Sequence, residues 1–172
     1  CKKSCKPERQ NQSACSYQCA TEKTYSIMSV RSKKQKKEER KIISKLKEDL
    51  LTHRDYLNML QVVFNTFIRL RDKDKPCISC DRPAGKYTLT AGHFWSAGNY
   101  SFLRFNEDNV QGQCWFNCNK NKHGNVGEYR IRLKERIGSD RLKYLDDNRK
   151  KELKLSIPEI KEKLIHYKNK IK

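Results

Sequence analysis

The sequence predicts an α+β chain in which a small zinc-stabilised unit of two strands and a helix sits between long flanking helices, with a further zinc knuckle at the N-terminus. Three observations predict it: eight cysteines, helical periodicity on both sides of a glycine-punctuated centre, and a hydrophobic content of 35% in 172 residues. So few apolar residues bury one modest core, and a second unit needs a staple other than apolar packing. Eight cysteines fit either disulfides of a secreted protein or thiolate ligands in a reduced compartment. Close cysteine pairs, a lysine-rich composition and no recognisable signal peptide favour metal. The chain opens on Cys1 rather than Met and is expected to be a piece of something longer.

Four segments are expected. Residues 1–24 hold Cys1, Cys5, Cys15 and Cys19 around a polar stretch with almost nothing to pack, so zinc is the expected staple, with each thiolate ~2.3 Å from the ion. Residues 25–71 form a basic helical connector. Ser29 to Leu51 reads as an exposed helix charged nearly all round, and Thr52 caps a second helix running to about Arg71. In that second helix Tyr56, Leu57, Leu60, Phe64, Phe67 and Ile68 recur at helical spacing. Residues 72–128 form the central zinc module, with strand-like runs at Tyr87 to Thr90 and Phe102 to Phe105. Residues 129–172 extend it with helices. One runs from Val126 to Ile137 and stops at Gly138, one is capped by Ser139 or Asp140 and runs to about Asn148, and one opens on the capping box Ser156-Ile157-Pro158-Glu159.

The charge names a partner class. A formal net charge of +19 repels itself unless a polyanion neutralises it, and nucleic acid is the natural one. A membrane surface ranks second, because no apolar run spans a bilayer and the basic helix has no continuous apolar face. Arg31, Lys33, Lys34, Lys36, Lys37, Arg40 and Lys41 on the connector are the expected phosphate contacts, joined by Arg104, Lys120 and Lys122 in the central module. The alternative for the connector is a solvated spacer.

The strongest chemical signal is Cys77-x2-Cys80 followed by Cys114-x3-Cys118, the pattern of a tetrahedral thiolate site. Between and just beyond the pairs lie His93, Asn109, Asn119 and His123. Phosphodiester hydrolysis needs a base to activate water and a cation to neutralise developing charge. His93 is the candidate base and Asn109 the group that fixes its tautomer. Asn119 and His123, four apart, are candidate ligands for magnesium or a similar divalent cation. Each has a plainer alternative: a hydrogen-bonded histidine at a strand end, a turn-forming asparagine, a helix cap. Trp95 and Trp115 are expected to pack around the zinc module, with stacking on exposed bases as the other option.

The stretches Arg71 to Cys80, Ala91-Gly92-His93, Leu103 to Val110 and Gly124-Asn125 resemble the NinG (Rap) recombination proteins of lambdoid phages and prophages, over most of the chain. The resemblance implies binding to Holliday junctions and D-loops, structure-directed endonuclease activity, and a place in the cytoplasm of a bacterial host, with other phage recombination proteins as further partners. The central module also resembles the treble-clef HNH nucleases, the ββα-metal architecture, in which the asparagine directly after the last zinc cysteine, here Asn119, is a metal ligand. Gly92 stands where many such enzymes carry a further ligand, and His123 comes later than the family's usual histidine. A non-catalytic junction binder that keeps the zinc fold is the rival reading, and a homodimer making paired cuts is one assembly the sequence leaves open.

Overall fold

The computed structural model describes residues 10 and 12–172, so Cys1 and Cys5 and the knuckle expected of them lie outside the described residues. The chain forms two compact units, 1–51 and 52–172. In the first, α1 spans Tyr17–Asp49 and buries none of its residues. It starts earlier than the sequence suggests because Ser16 caps it, its hydroxyl accepting from the Cys19 N–H at 3.2 Å. Cys19 therefore sits in a helical first turn rather than in a loop, with its sulfur 3.3 Å from that of Cys15.

In the second unit α2 (His53–Arg71) opens on a capping box between Thr52 and Asp55. Its apolar face, Tyr56, Leu60, Phe64 and Ile68, is buried, and α2 packs against α5 (Ile157–Ile171). Phe64 meets Tyr167 edge-on with ring centroids 5.0 Å apart. α5 begins at the Ser156–Glu159 capping box. Between them lie α3 (Val126–Ile137) and α4 (Ser139–Asn148). Tyr129, Leu133 and Ile137 of α3 and Leu142 and Leu145 of α4 share one core with Ile78, Phe94 and Leu103. The helices assigned by sequence to an extension thus close the core of the central module, which is why residues 52–172 form one unit rather than three segments.

The sheet has two antiparallel strands, β1 (Leu89–His93) and β2 (Val110–Cys114), with Leu89 opposite Cys114 and His93 opposite Val110. β2 reads Val-Gln-Gly-Gln-Cys and is buried throughout, so alternation could not reveal it. The run expected as a strand, Phe102 to Phe105, begins instead with a single 3-10 turn at Ser101–Leu103. Leu103 and Phe105 are buried as alternating strand residues would be. Their backbone is spent elsewhere: the Leu103 N–H donates to the Tyr100 carbonyl at 3.1 Å, and the Leu103 carbonyl accepts from the Asn109 amide at 3.0 Å.

Asp72 joins α2 to the sheet. Its carboxylate is fully buried and accepts from Arg71 Nε at 2.9 Å, Lys75 Nζ at 2.8 Å and the Gly112 N–H at 2.8 Å. Arg71 in turn donates to the carbonyls of Glu107 and Val110 at 2.9 and 2.8 Å. A side chain at Gly112 would meet the Asp72 and Leu89 side chains at 2.9 Å, so the strand must carry glycine there. Burial disfavours the Asp72 anion, but the Arg71 and Lys75 cations hold its carboxyl below the usual carboxylate range. A depressed carboxylate contributes stability that is present above its unfolded pKa and is lost as pH falls through the folded value. Asp72→Asn is therefore expected to lower unfolding free energy by about 3 kcal/mol at neutral pH. In denaturant melts compared at pH 7 and pH 3, that deficit should shrink at acid pH.

Candidate functional site

The first site is built of sulfur. Cys77 and Cys80 lie on the turn after α2, Cys114 ends β2, and Cys118 lies in the wide π-type turn Trp115–Asn121 that follows. All four sulfurs fall within 4.8 Å of one another, with Cys77 to Cys118 at 3.9 Å and Cys80 to Cys114 at 3.6 Å. A tetrahedral zinc thiolate site, with Zn–S of ~2.3 Å, needs sulfurs ~3.8 Å apart. The donor set therefore fits zinc in both chemistry and size. The Cys114 N–H points at the Cys77 sulfur at 3.2 Å, a bond that favours the thiolate. Burial pushes the Cys118 thiol up to about 12 and that of Cys114 higher still, whereas Cys80, despite its burial, is drawn down by the backbone of Arg82. A divalent cation removes this conflict by taking all four as thiolates.

The second site lies at the other end of the hairpin, where His93 closes β1. Its Nε2 is 3.1 Å from the Arg104 carbonyl. A carbonyl can only accept, so Nε2 carries the proton and Nδ1 keeps the lone pair. Burial, aided by the nearby Arg104 guanidinium, lowers the imidazole below the ordinary histidine range, so it is neutral at physiological pH.

The tautomer is thus fixed by Arg104 and not, as expected from sequence, by Asn109. The Asn109 side chain is fully buried and spent on the loop between the strands. Its amide donates to the Trp95 and Leu103 carbonyls at 2.9 and 3.0 Å, and its oxygen accepts from the Trp95 N–H at 2.8 Å. Asn109 clamps the loop that carries the Arg104 carbonyl to the histidine, so it acts on His93 through the backbone.

Asn119 is half-buried on the π-type turn, which contacts both strands. His123 departs from its expected place. The helical turn ends at Asn121, and His123 is exposed with φ of 47°, so the two do not share a helix face. Gly92 has a steric reason, since a Cβ there would crowd the buried Gln113 side chain, whose own Cβ would lie 2.9 Å away. Arg104 is half-buried with its Nε donating to Gln61 at 2.6 Å, while Lys120 and Lys122 are exposed. The seven basic candidates of α1 are all exposed.

The family is decided by comparison with known sequences. The sequence model described as "Bacteriophage Lambda NinG protein" matches residues 1–172. The chain belongs to the NinG family. It is 37% identical over 135 residues to Protein ninG of Escherichia phage lambda, covering 74% of this chain and 62% of that protein. It is 43% identical over 101 residues to Protein ninG of Salmonella phage P22, covering 55% of this chain and 46% of that one. The aligned region thus spans about half to three fifths of these curated relatives. No solved structure matches the chain.

Sequence reasoning missed several residues that hold this NinG site together. Gln113 is fully buried and donates to the Ser79 hydroxyl and the Gly124 carbonyl, both at 2.6 Å, joining the Cys77–Cys80 turn to the loop after Cys118. Tyr129 reaches from α3 to the Gly92 carbonyl at 2.8 Å and so fixes the strand beside His93. A tyrosine at a helical core position carried no signal of that hydroxyl's use. In native mass spectrometry, Cys77→Ser with Cys80→Ser is expected to hold one zinc ion fewer than the parent chain. Its Tm should fall by more than about 10 °C.

Proposed function

We propose that this NinG chain binds branched DNA in phage recombination and cleaves it as a structure-directed endonuclease, with His93 as general base. The observation that carries the reading is the neutral imidazole at the end of β1, its tautomer fixed by a backbone carbonyl, on a hairpin stapled by four cysteines. The order of knuckle, hairpin and cysteine-bearing turn fits the treble-clef HNH architecture. Nδ1 would take a proton from water as the oxygen attacks phosphorus, and the Arg104 guanidinium would offset charge growing on the phosphate.

The residues around His93 do not by themselves make a hard-cation site. Gly92 offers no ligand and Asn119 only an amide. Among the described residues, the four cysteines are the one cluster of three or more such metal ligands. Magnesium is therefore expected to arrive with the phosphate it neutralises rather than to reside in the free protein.

The lack of a hard-cation ligand set beside His93 favours one rival, a protein that grips junctions by charge and shape without cutting them. Labelled four-way junctions and linear duplex, each with magnesium, separate the two. The expected result is nicking of the junction, lost by at least about 100-fold in His93→Ala with binding retained. Binding without nicking, the same in His93→Ala, leaves the rival. Because His93 must be unprotonated to act and its pKa is lowered, the acid limb of the rate profile should lie below the ordinary histidine value.

Affinity should fall steeply with salt, since ten basic residues lie on α1 against five acidic ones. Replacing Lys33, Lys34, Lys36 and Lys37 by Gln should reduce the log–log salt slope by roughly 3 to 4. An unchanged slope removes α1 from the DNA contact.

A further inference from the structure

We infer that Trp115 and Phe116 form a stacking platform for unpaired DNA bases at the branch point. This deepens the DNA-binding reading above and rests on it. The two rings stand where β2, buried through all five of its residues, runs out into the π-type turn. Trp115 is 46% exposed and Phe116 61% exposed, whereas Trp95 packs against Phe94 and Tyr100 with centroids 4.9 Å away in each case. Among the described residues neither Trp115 nor Phe116 joins an aromatic pair or a cation–π contact. Two adjacent aromatics exposed at the end of a fully buried strand form a candidate contact surface.

Their mounting is rigid. The Trp115 N–H donates to the Thr88 carbonyl at 2.9 Å, Cys114 precedes the pair, and Cys118 follows two residues on. The backbone that carries the two rings therefore needs little reordering on binding.

The surroundings select the partner's charge. Residues 82–88 and 115–123 contain Arg82, Lys86, Lys120 and Lys122 and no acidic side chain, and the neighbouring Asp81 is paired with Arg132 at 2.7 Å. With its amide oxygen turned toward Arg82, Asn117 accepts from that guanidinium at 2.8 and 3.1 Å, which places this cation beside the aromatic turn. Lys86, Lys120 and Lys122 form no ion pair among the described residues, so they are available to phosphates. Four thiolates on zinc carry a formal charge of about −2, which these four cations exceed. Stacking faces bordered by lysine and arginine suit a strand whose bases are unstacked and whose backbone is anionic. A paired duplex offers the phosphates but keeps its base faces covered, so the platform favours branch points over continuous helix.

The test uses the full chain with a fork carrying 2-aminopurine at the branch point, and a fully paired duplex of equal length. Trp115→Ala with Phe116→Ala is expected to weaken fork binding by about 10- to 100-fold and to leave duplex binding unchanged. The conservative pair Trp115→Phe with Phe116→Tyr should retain fork binding. Equal losses on both substrates, or no loss on the fork, would overturn the platform while leaving DNA binding intact. If the parent chain binds neither substrate, the DNA reading itself falls. A second measurement does not depend on the double variant folding. The chain has two tryptophans, so Trp95→Phe leaves Trp115 as its sole tryptophan emitter. Oligodeoxythymidylate is expected to quench that emission, and binding without quenching counts against stacking.

Discussion

The 52–172 unit depends on the convergence of four sulfurs that lie far apart in sequence. Cys77 and Cys118 are 41 residues apart, and closing that loop by apolar contacts alone would be hard for a hairpin whose second strand is Val-Gln-Gly-Gln-Cys. A metal-sized thiolate cluster supplies the closure and allows the strand to be polar. The glutamines can then be used as connectors: Gln113 ties the two cysteine turns together, and Gln111 accepts from Arg71 at 3.1 Å and donates to the carbonyls after Asn106. The hairpin is held by directed bonds at both ends, sulfur at one and the Asp72–Arg71 network near the other.

This division of labour explains what could be read in the sequence and what could not. α2, α3 and α5 were legible because each carries its own local signal, whereas the start of α1 at Tyr17 and the capping of α4, whose N-cap is Gly138 rather than Ser139 or Asp140, were not. Thr52 with Asp55 and Ser156 with Glu159 cap as their spacing suggests, Gly138 stops α3 with φ of 86°, and the apolar periodicity of α2 is the face that is buried. The cysteine convergence was legible because thiolate spacing is a strong constraint. β2 was not, since a strand buried on both faces and carrying glutamines at its second and fourth positions has neither alternation nor an apolar run. Phe102 to Phe105 misled for the opposite reason: alternating burial arises in a turn whose carbonyl is captured by Asn109.

The catalytic candidates divide in the same way. His93 was visible as a histidine between two cysteine pairs, and it lies hydrogen-bonded at a strand end, as its plainer alternative described. The group that sets its tautomer is a main-chain carbonyl, to which residue identity is blind. Asn109 was visible as a residue but not in its role, because the sequence does not say which atoms are brought within reach of which. His123 was misplaced because helical spacing was assumed to persist past Asn121, whereas the chain turns through three successive residues of positive φ, His123, Gly124 and Asn125, before α3 begins.

Burial and charge together restrict what the histidine can do. An imidazole removed from water and set near a guanidinium resists protonation, so it is poorly suited to salt-bridge a phosphate as a cation and stays in the unprotonated form that a general base requires. Cations that could meet phosphate include the exposed lysines and arginines of α1 and the lysines of the turn carrying Trp115, together with Arg104. On the proposed reading, attraction to phosphate and proton transfer therefore fall to different side chains. On that reading, loss of one need not remove the other, and a chain that kept its cations but lost His93 is expected to retain whatever DNA affinity the parent has.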